Sequence, residues 1–123
     1  MPKTKVVFYK EEDGSVPVLD WLGGLSVKAV AKCLVRIERL EQFGHELRRP
    51  EADLLRNKIY ELRVGLQGTN YRILYFFLGD IAAVLAHGLV KDSEVPPKEI
   101  ERALERRKRF ELNPKKHTHE EGI

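Results

Sequence analysis

Cysteine is nearly absent from the chain. Cys33 is the single one in 123 residues, so no disulfide can form within the chain, which fits a reducing compartment. It sits beside Leu34 in a helical pattern and reads as packing rather than as a nucleophile. Long hydrophobic runs are missing as well. No segment reaches the roughly 18 apolar residues that span a bilayer, and the opening stretch MPKTKVVFYKEEDG has no apolar core followed by a small-residue cleavage site. The expectation is a cytoplasmic protein with no membrane partner. There is no Gly-rich loop placed to cradle a phosphate at a helix start, and no Asp/Glu cluster for a pair of metals, so no cofactor is expected. His117 and His119 in the C-terminal tail are a weak metal signal. No internal repeat is visible.

What is present is ordinary for a globular fold. The chain is 42% hydrophobic and 33% charged, so disorder is not indicated. Its length favours one domain with a core that needs no staples. Residues 1–112 are expected to form that domain and 113–123 a polar, flexible tail. The formal net charge of +3 permits nucleic-acid binding without establishing it.

Punctuation and periodicity divide the chain. KVVFY, Lys5 to Tyr9, reads as a strand ending at the EEDGS turn. Ser15 is placed to cap a short helix carrying Val18, Trp21, Leu22 and Leu25, broken near Gly23 and Gly24. Ser26 starts a second helix with the stripe Val27, Val30, Leu34, Ile37 and Leu40, stopping at Gly44. Its Lys28, Lys32, Arg36 and Arg39 read as a solvated face. His45 to Asn57, with Pro50 and no clear period, reads as a connecting loop. Three strands follow, Lys58 to Val64, Thr69 to Leu78 and Ile81 to Val90, joined by GLQG and by the tight turn Gly79-Asp80. A last helix begins at Pro96-Pro97 with Ile100, Ala103, Leu104 and Phe110 inward, and its basic later half, Arg102 and Arg106 to Arg109, suits the helix dipole. The order β-α-α-β-β-β-α without βαβ alternation predicts an α+β fold on a small, mostly antiparallel twisted sheet.

Strand alternation then tests where the polar residues fall. If Gly79-Asp80 closes one hairpin, Leu78 opposes Ile81 and Arg72 opposes His87. If Gly65 to Gly68 form a four-residue loop, Val64 opposes Thr69, Arg63 opposes Asn70 and Glu61 opposes Arg72. One face then collects Glu61, Arg63, Asn70, Arg72, His87, Leu89 and Lys91. The other receives Tyr60, Leu62, Val64, Tyr71, Ile73, Tyr75 and Phe77, a core face. A bulge would break this pattern. Taken singly, each charge is more simply a cross-strand pair contributing roughly 0.2–1 kcal/mol. Together they have the composition of a site that holds phosphate and moves a proton.

The ordered set YELRV, YRILYFF, VLAHGLVK and PPKEIERALERRKRF, spanning Tyr60 to Phe110, resembles the RelE/ParE toxin superfamily and in particular its HigB-like, phage-derived branch. The resemblance implies a RelE-like fold and the toxin of a type II toxin–antitoxin system, an mRNA interferase. Such an endoribonuclease cleaves mRNA, usually on the ribosome and without a metal, by attack of the 2′-hydroxyl on the adjacent phosphate. It implies that Arg72 stabilises the phosphorane charge, that Arg63 and Lys91 hold the backbone with Asn70 nearby, and that His87 and Glu61 are candidates for proton transfer. It also implies a helix-turn-helix (HigA-like) antitoxin partner, and through it operator DNA. Two alternatives stay open: a ParE-like toxin that binds DNA gyrase without chemistry, and an inactive remnant that only binds its antitoxin. The stretch KDSEVPP departs from the pattern. Asp92 and Glu94 stand where relatives carry a basic run, and Pro96-Pro97 replaces a Thr-Pro start that would supply a capping hydroxyl.

Overall fold

A computed structural model describes residues 4–79, 82–91 and 94–120. The chain runs β1 (Lys5–Tyr9), α1 (Pro17–Gly23), α2 (Val27–Phe43), a 3-10 turn (Gly44–Glu46), β2 (Ala52–Arg56), β3 (Ile59–Leu66), β4 (Thr69–Leu78), β5 (Ala82–Lys91), α3 (Pro97–Leu112) and β6 (Thr118–His119). The strands form one open sheet in the order β2-β3-β4-β5-β1-β6. β1 runs parallel to β5, and the other pairings are antiparallel. This is the α+β architecture that the RelE resemblance implies. Among the described residues no helix is long and apolar enough to cross a membrane.

Both faces of the sheet are covered. Phe8, Leu62, Val64, Ile73, Tyr75 and Leu85 point to the side of α1 and α2, where they meet Val18, Leu22, Cys33, Ile37 and Leu40. Val7, Tyr9, Leu74, Phe76 and Val84 point to α3 and meet Ile100, Ala103 and Phe110. The aromatic and aliphatic face expected of β3 and β4 is thus the α1/α2 face. The charged residues share the other face with α3.

Several local expectations are corrected. Ser15 does not cap α1. Its hydroxyl donates to Asp13 at 2.7 Å, closing the preceding turn, and α1 starts from Val16 with Pro17 in its first turn and no side-chain cap. Ser26 does cap α2, accepting from the Ala29 amide at 3.2 Å. The buried stripe of α2 is Ala29, Cys33, Ile37 and Leu40, while Val27 is 87% exposed. The smaller side chains face the sheet because they let the helix approach it closely, whereas Val27 opens the first turn at the rim. Burial pushes the Cys33 thiol up to about 11, so it is inert packing. The expected loop at His45 to Asn57 contains the 3-10 turn and the edge strand β2, which enters β3 through Asn57 and Lys58, both at positive φ. The tail also differs from the flexible segment expected. β6 pairs with β1, and His117 is buried, stacked on Tyr9 at 5.2 Å with Nδ1 donating to the Lys10 carbonyl at 2.7 Å. The polar tail covers a sheet edge that would otherwise expose unpaired backbone.

One glycine has a steric duty. At Gly88 of β5 the Trp21 ring of α1 lies where a Cβ would stand. Gly88→Ala must push that ring outward, and overpacking of this kind costs typically 1–3 kcal/mol. Denaturant unfolding is expected to show a loss in that range. A loss near zero would mean that Trp21 swings aside freely.

Candidate phosphate-binding site

The charged face depends on two registers, and both differ from the sequence reading. β3 and β4 are joined by Gln67 and Gly68, with φ of 50° and 83°, not by a four-residue loop. Two consecutive positive φ values are the twist-matched hairpin geometry. Val64 therefore opposes Tyr71 rather than Thr69, Arg63 opposes Arg72 rather than Asn70, and Glu61 opposes Leu74 rather than Arg72. On the other side Leu78 opposes Ala82 rather than Ile81, and an extra residue in β5 shifts the pairing between Leu74↔His87 and Tyr75↔Leu85. Arg72 thus opposes Leu89, not His87. Asp80 and Ile81, the expected turn and strand start, lie outside the described residues.

The face nevertheless survives. Shortening the β3–β4 connection moves the register by two residues, which preserves side-chain direction. Between β4 and β5 the longer turn and the bulge each move it by one, and the two shifts restore direction together. Three rows result on the α3 side: Gly65, Asn70, Lys91; then Arg63, Arg72, Leu89; then Glu61, Leu74, His87.

Glu61 and the arginines meet as expected, through diagonal rather than direct pairs. Arg72 Nε donates to Glu61 Oε1 at 3.0 Å, and Arg63 Nη1 donates to Glu61 Oε2 at 3.2 Å. The Glu61 and Arg72 side chains are each only 5% exposed, against 30% for Arg63. Arg72 Nη1 also donates to the Tyr71 carbonyl at 2.9 Å. Burial lowers the guanidinium pKa of Arg72, Glu61 opposes this, and Arg63 adds to it. Lys91, half-buried in the neighbouring row, is lowered by burial first and then by Arg72. Its ammonium has no hydrogen bond or ion pair with any described residue. Asn70, opposite Lys91, likewise makes no side-chain hydrogen bond among the described residues.

His87 sits elsewhere. Leu74 separates it from Glu61 in its row, and α3 covers it. Nε2 lies 3.0 Å from Glu99 Oε1, and Nδ1 lies 3.2 Å from Arg106 Nη1. A guanidinium only donates, so Nδ1 is the acceptor and Nε2–H donates to Glu99, which fixes a neutral tautomer. Arg106 also donates to the Ala86 carbonyl at 2.7 Å, at the bulge. Neither Glu99 nor Arg106 was singled out as a site residue. The signal lay in their spacing, two helical turns apart on the stripe of α3 that faces the sheet.

This burial has a pH consequence. Desolvation pushes the His87 imidazole below its ordinary 6.5. Glu99 pulls it up, while Arg106 and Arg102 add to the lowering. With the folded-state value depressed, the unfolded chain takes up the proton more readily. His87 therefore contributes stability that is fully present above pH 6.5 and is lost as pH falls through the lowered folded value. His87→Gln is expected to flatten the fall in melting temperature from neutral to mildly acid pH. Equal acid sensitivity in both proteins would place the loss on other groups.

Arg63 opens onto a groove of about 310 Å³ between β2, β3 and the start of α3, with Arg72 buried behind Glu61. Glu61, Arg63, Lys91 and Glu94 form its charged end, and Leu55, Val95 and Ile100 its apolar wall. Two forked cations on one carboxylate, beside an ammonium unpaired among the described residues, make an arrangement that accepts a phosphate group. Comparison with curated proteins gives no match. The family model for the phage-derived protein Gp49-like matches residues 20–108, which takes in the second half of α1, all of α2, β2 to β5 and most of α3. With that match and this fold, the chain belongs to the phage-derived Gp49-like family, whose members are generally toxins of toxin–antitoxin systems.

Proposed function

We propose that the protein is a toxin that cleaves mRNA, an endoribonuclease acting in the cytoplasm on messages engaged by the ribosome. One observation carries this reading: Arg63 and the buried Arg72 converge on the single carboxylate of Glu61, and Glu61 and Arg63 line a groove with Lys91, which is unpaired among the described residues. In the reaction the 2′-oxygen bonds to phosphorus as the bond to the 5′-oxygen breaks. A 2′,3′-cyclic phosphate and a 5′-hydroxyl result: the 2′-hydroxyl proton leaves to water, the departing 5′-oxygen gains one, and no metal is required. Arg72 and Arg63 oppose the charge that accumulates on the phosphorane oxygens. Glu61 holds both guanidiniums in place beforehand. Lys91, unpaired among the described residues, moves a proton to the departing oxygen, and Asn70 offers an amide to the backbone next to it. His87, with both nitrogens engaged by α3, acts as a positioning residue that ties β5 to α3 and so sets the Lys91 end of the groove. The partner is a helix-turn-helix, HigA-like antitoxin that also contacts operator DNA.

The test is a short induction followed by mapping of RNA 5′ ends in translated and untranslated messages. New ends confined to translated messages are expected. Growth arrest with intact messages would reject cleavage. The removal of His87 from the arginine cluster favours a second reading, a gyrase-binding toxin without chemistry. Inhibition of gyrase by the purified protein with messages intact would support it. Harmless expression without an antitoxin would point to an inactive remnant.

A further inference from the structure

Most charges that line the groove are paired within the protein. Arg49 pairs with Asp53 at 2.8 Å, Arg56 pairs with Glu101, and Arg63 and Arg72 pair with Glu61. Two charges remain without a hydrogen bond or ion pair among the described residues: Lys91 and Glu94. They lie at the same end and are electrostatically coupled. A site built only to hold a polyanion would not leave an exposed carboxylate beside its free lysine, because that carboxylate repels the backbone it should attract. A carboxylate accepts hydrogen bonds and donates none. It is useful here only if the ligand brings N–H donors as well as a phosphate. A nucleotide does both.

We infer that the groove is a nucleobase subsite in which Glu94 reads the N–H donors of a guanine next to the scissile phosphate, an inference that rests on the RNA-cleavage reading. The volume of about 310 Å³ is at the lower end of small-ligand clefts, about 300–1,000 Å³. That is room for one base laid on the aliphatic wall of Leu55, Val95 and Ile100. Among the described residues no aromatic side chain lines the groove, so the base is held by its edge rather than by stacking. Single-stranded RNA presents its Watson–Crick edge for such reading. Guanine places N1–H and the N2 amino group side by side, matching the two oxygens of a carboxylate. Adenine and cytosine each place one amino group beside an acceptor, which the carboxylate repels. Uracil has one N–H between two carbonyls. The order of preference is guanine first, then adenine and cytosine, then uracil.

The experiment uses the full chain and four trinucleotides blocked against cleavage by a 2′-deoxyribose, identical except for the base at the reading position. Binding is followed by NMR chemical-shift titration. The guanine probe is expected to bind roughly tenfold more tightly than the uracil probe. In Glu94→Gln that preference is lost and moves toward adenine, whose donor–acceptor edge matches an amide. Glu94 is exposed and unpaired among the described residues, so the substitution does not threaten the fold. Equal binding of the four probes, or a guanine preference that survives in E94Q, overturns the subsite and leaves RNA cleavage standing. Failure to bind any probe also overturns it. Whether the cleavage reading falls too is decided separately by the messages of induced cells.

Discussion

Arg72→Lys is expected to leave a folded protein whose mRNA cleavage falls by about 10²–10³-fold, the usual loss when one donor to a transition-state oxyanion is removed. The Arg72 fork is aimed by two contacts, Glu61 through Nε and the Tyr71 carbonyl through Nη1. Lysine keeps the positive charge near Glu61 but cannot hold those two partners and face a phosphate together. Arg72→Ala is expected to lose as much cleavage and to lower stability as well, because the Glu61 carboxylate is left with Arg63 as its remaining donor. The two effects separate when single-turnover cleavage and thermal unfolding are measured on both variants. Undiminished cleavage in Arg72→Lys would remove the guanidinium fork from the mechanism.

Glu61→Gln has the largest expected effect on stability. Glu61 and Arg72 are each 5% exposed, and breaking a buried pair by removing one partner costs about 3–5 kcal/mol, since the other charge stays behind. The loss here is compounded, because Arg63 then faces Arg72 without the carboxylate between them. For a domain of this size the melting temperature should fall by on the order of 10 °C. Inorganic phosphate should restore much of it, since an anion that binds only the folded state stabilises it by mass action. The same phosphate should raise the melting temperature of the unaltered protein by less, because Glu61 already occupies the guanidiniums. Equal responses in the two proteins would show that the arginine pair is not an anion site.

The sheet face that carries these residues was legible in the sequence, although the pairings were not. Arg63, Arg72, Glu61 and Lys91 alternate against Leu62, Val64, Ile73 and Tyr75, and alternation survives any register shift of two residues. The β3–β4 turn and the bulge in β5 both moved the pairs, and both kept the parity. His87 was placed on the correct face but with the wrong neighbours. Nothing in a strand's own pattern says how much of its face a helix will cover. β2 was hidden because Pro50 precedes it and because an edge strand of five residues leaves little periodicity to detect. β6 was hidden because two residues leave none.

Composition, periodicity and turn residues determined by themselves that this is an α+β domain with one sheet face rich in arginine. These are local properties: the spacing of apolar residues decides helix or strand, and alternation decides which way each strand residue points. Only the tertiary structure decided which of those residues work together. α3 crosses the charged face far enough to engage His87 through Glu99 and Arg106, and it stops short of Lys91. What was one row of candidates in the sequence is therefore two environments. One is a buried imidazole that ties a strand to a helix, and the other is an open groove where Glu61 holds two guanidiniums. The physical reason is desolvation. A helix laid over a polar side chain obliges it to find partners in the protein, while a side chain left beyond the helix end keeps its charge available to a ligand.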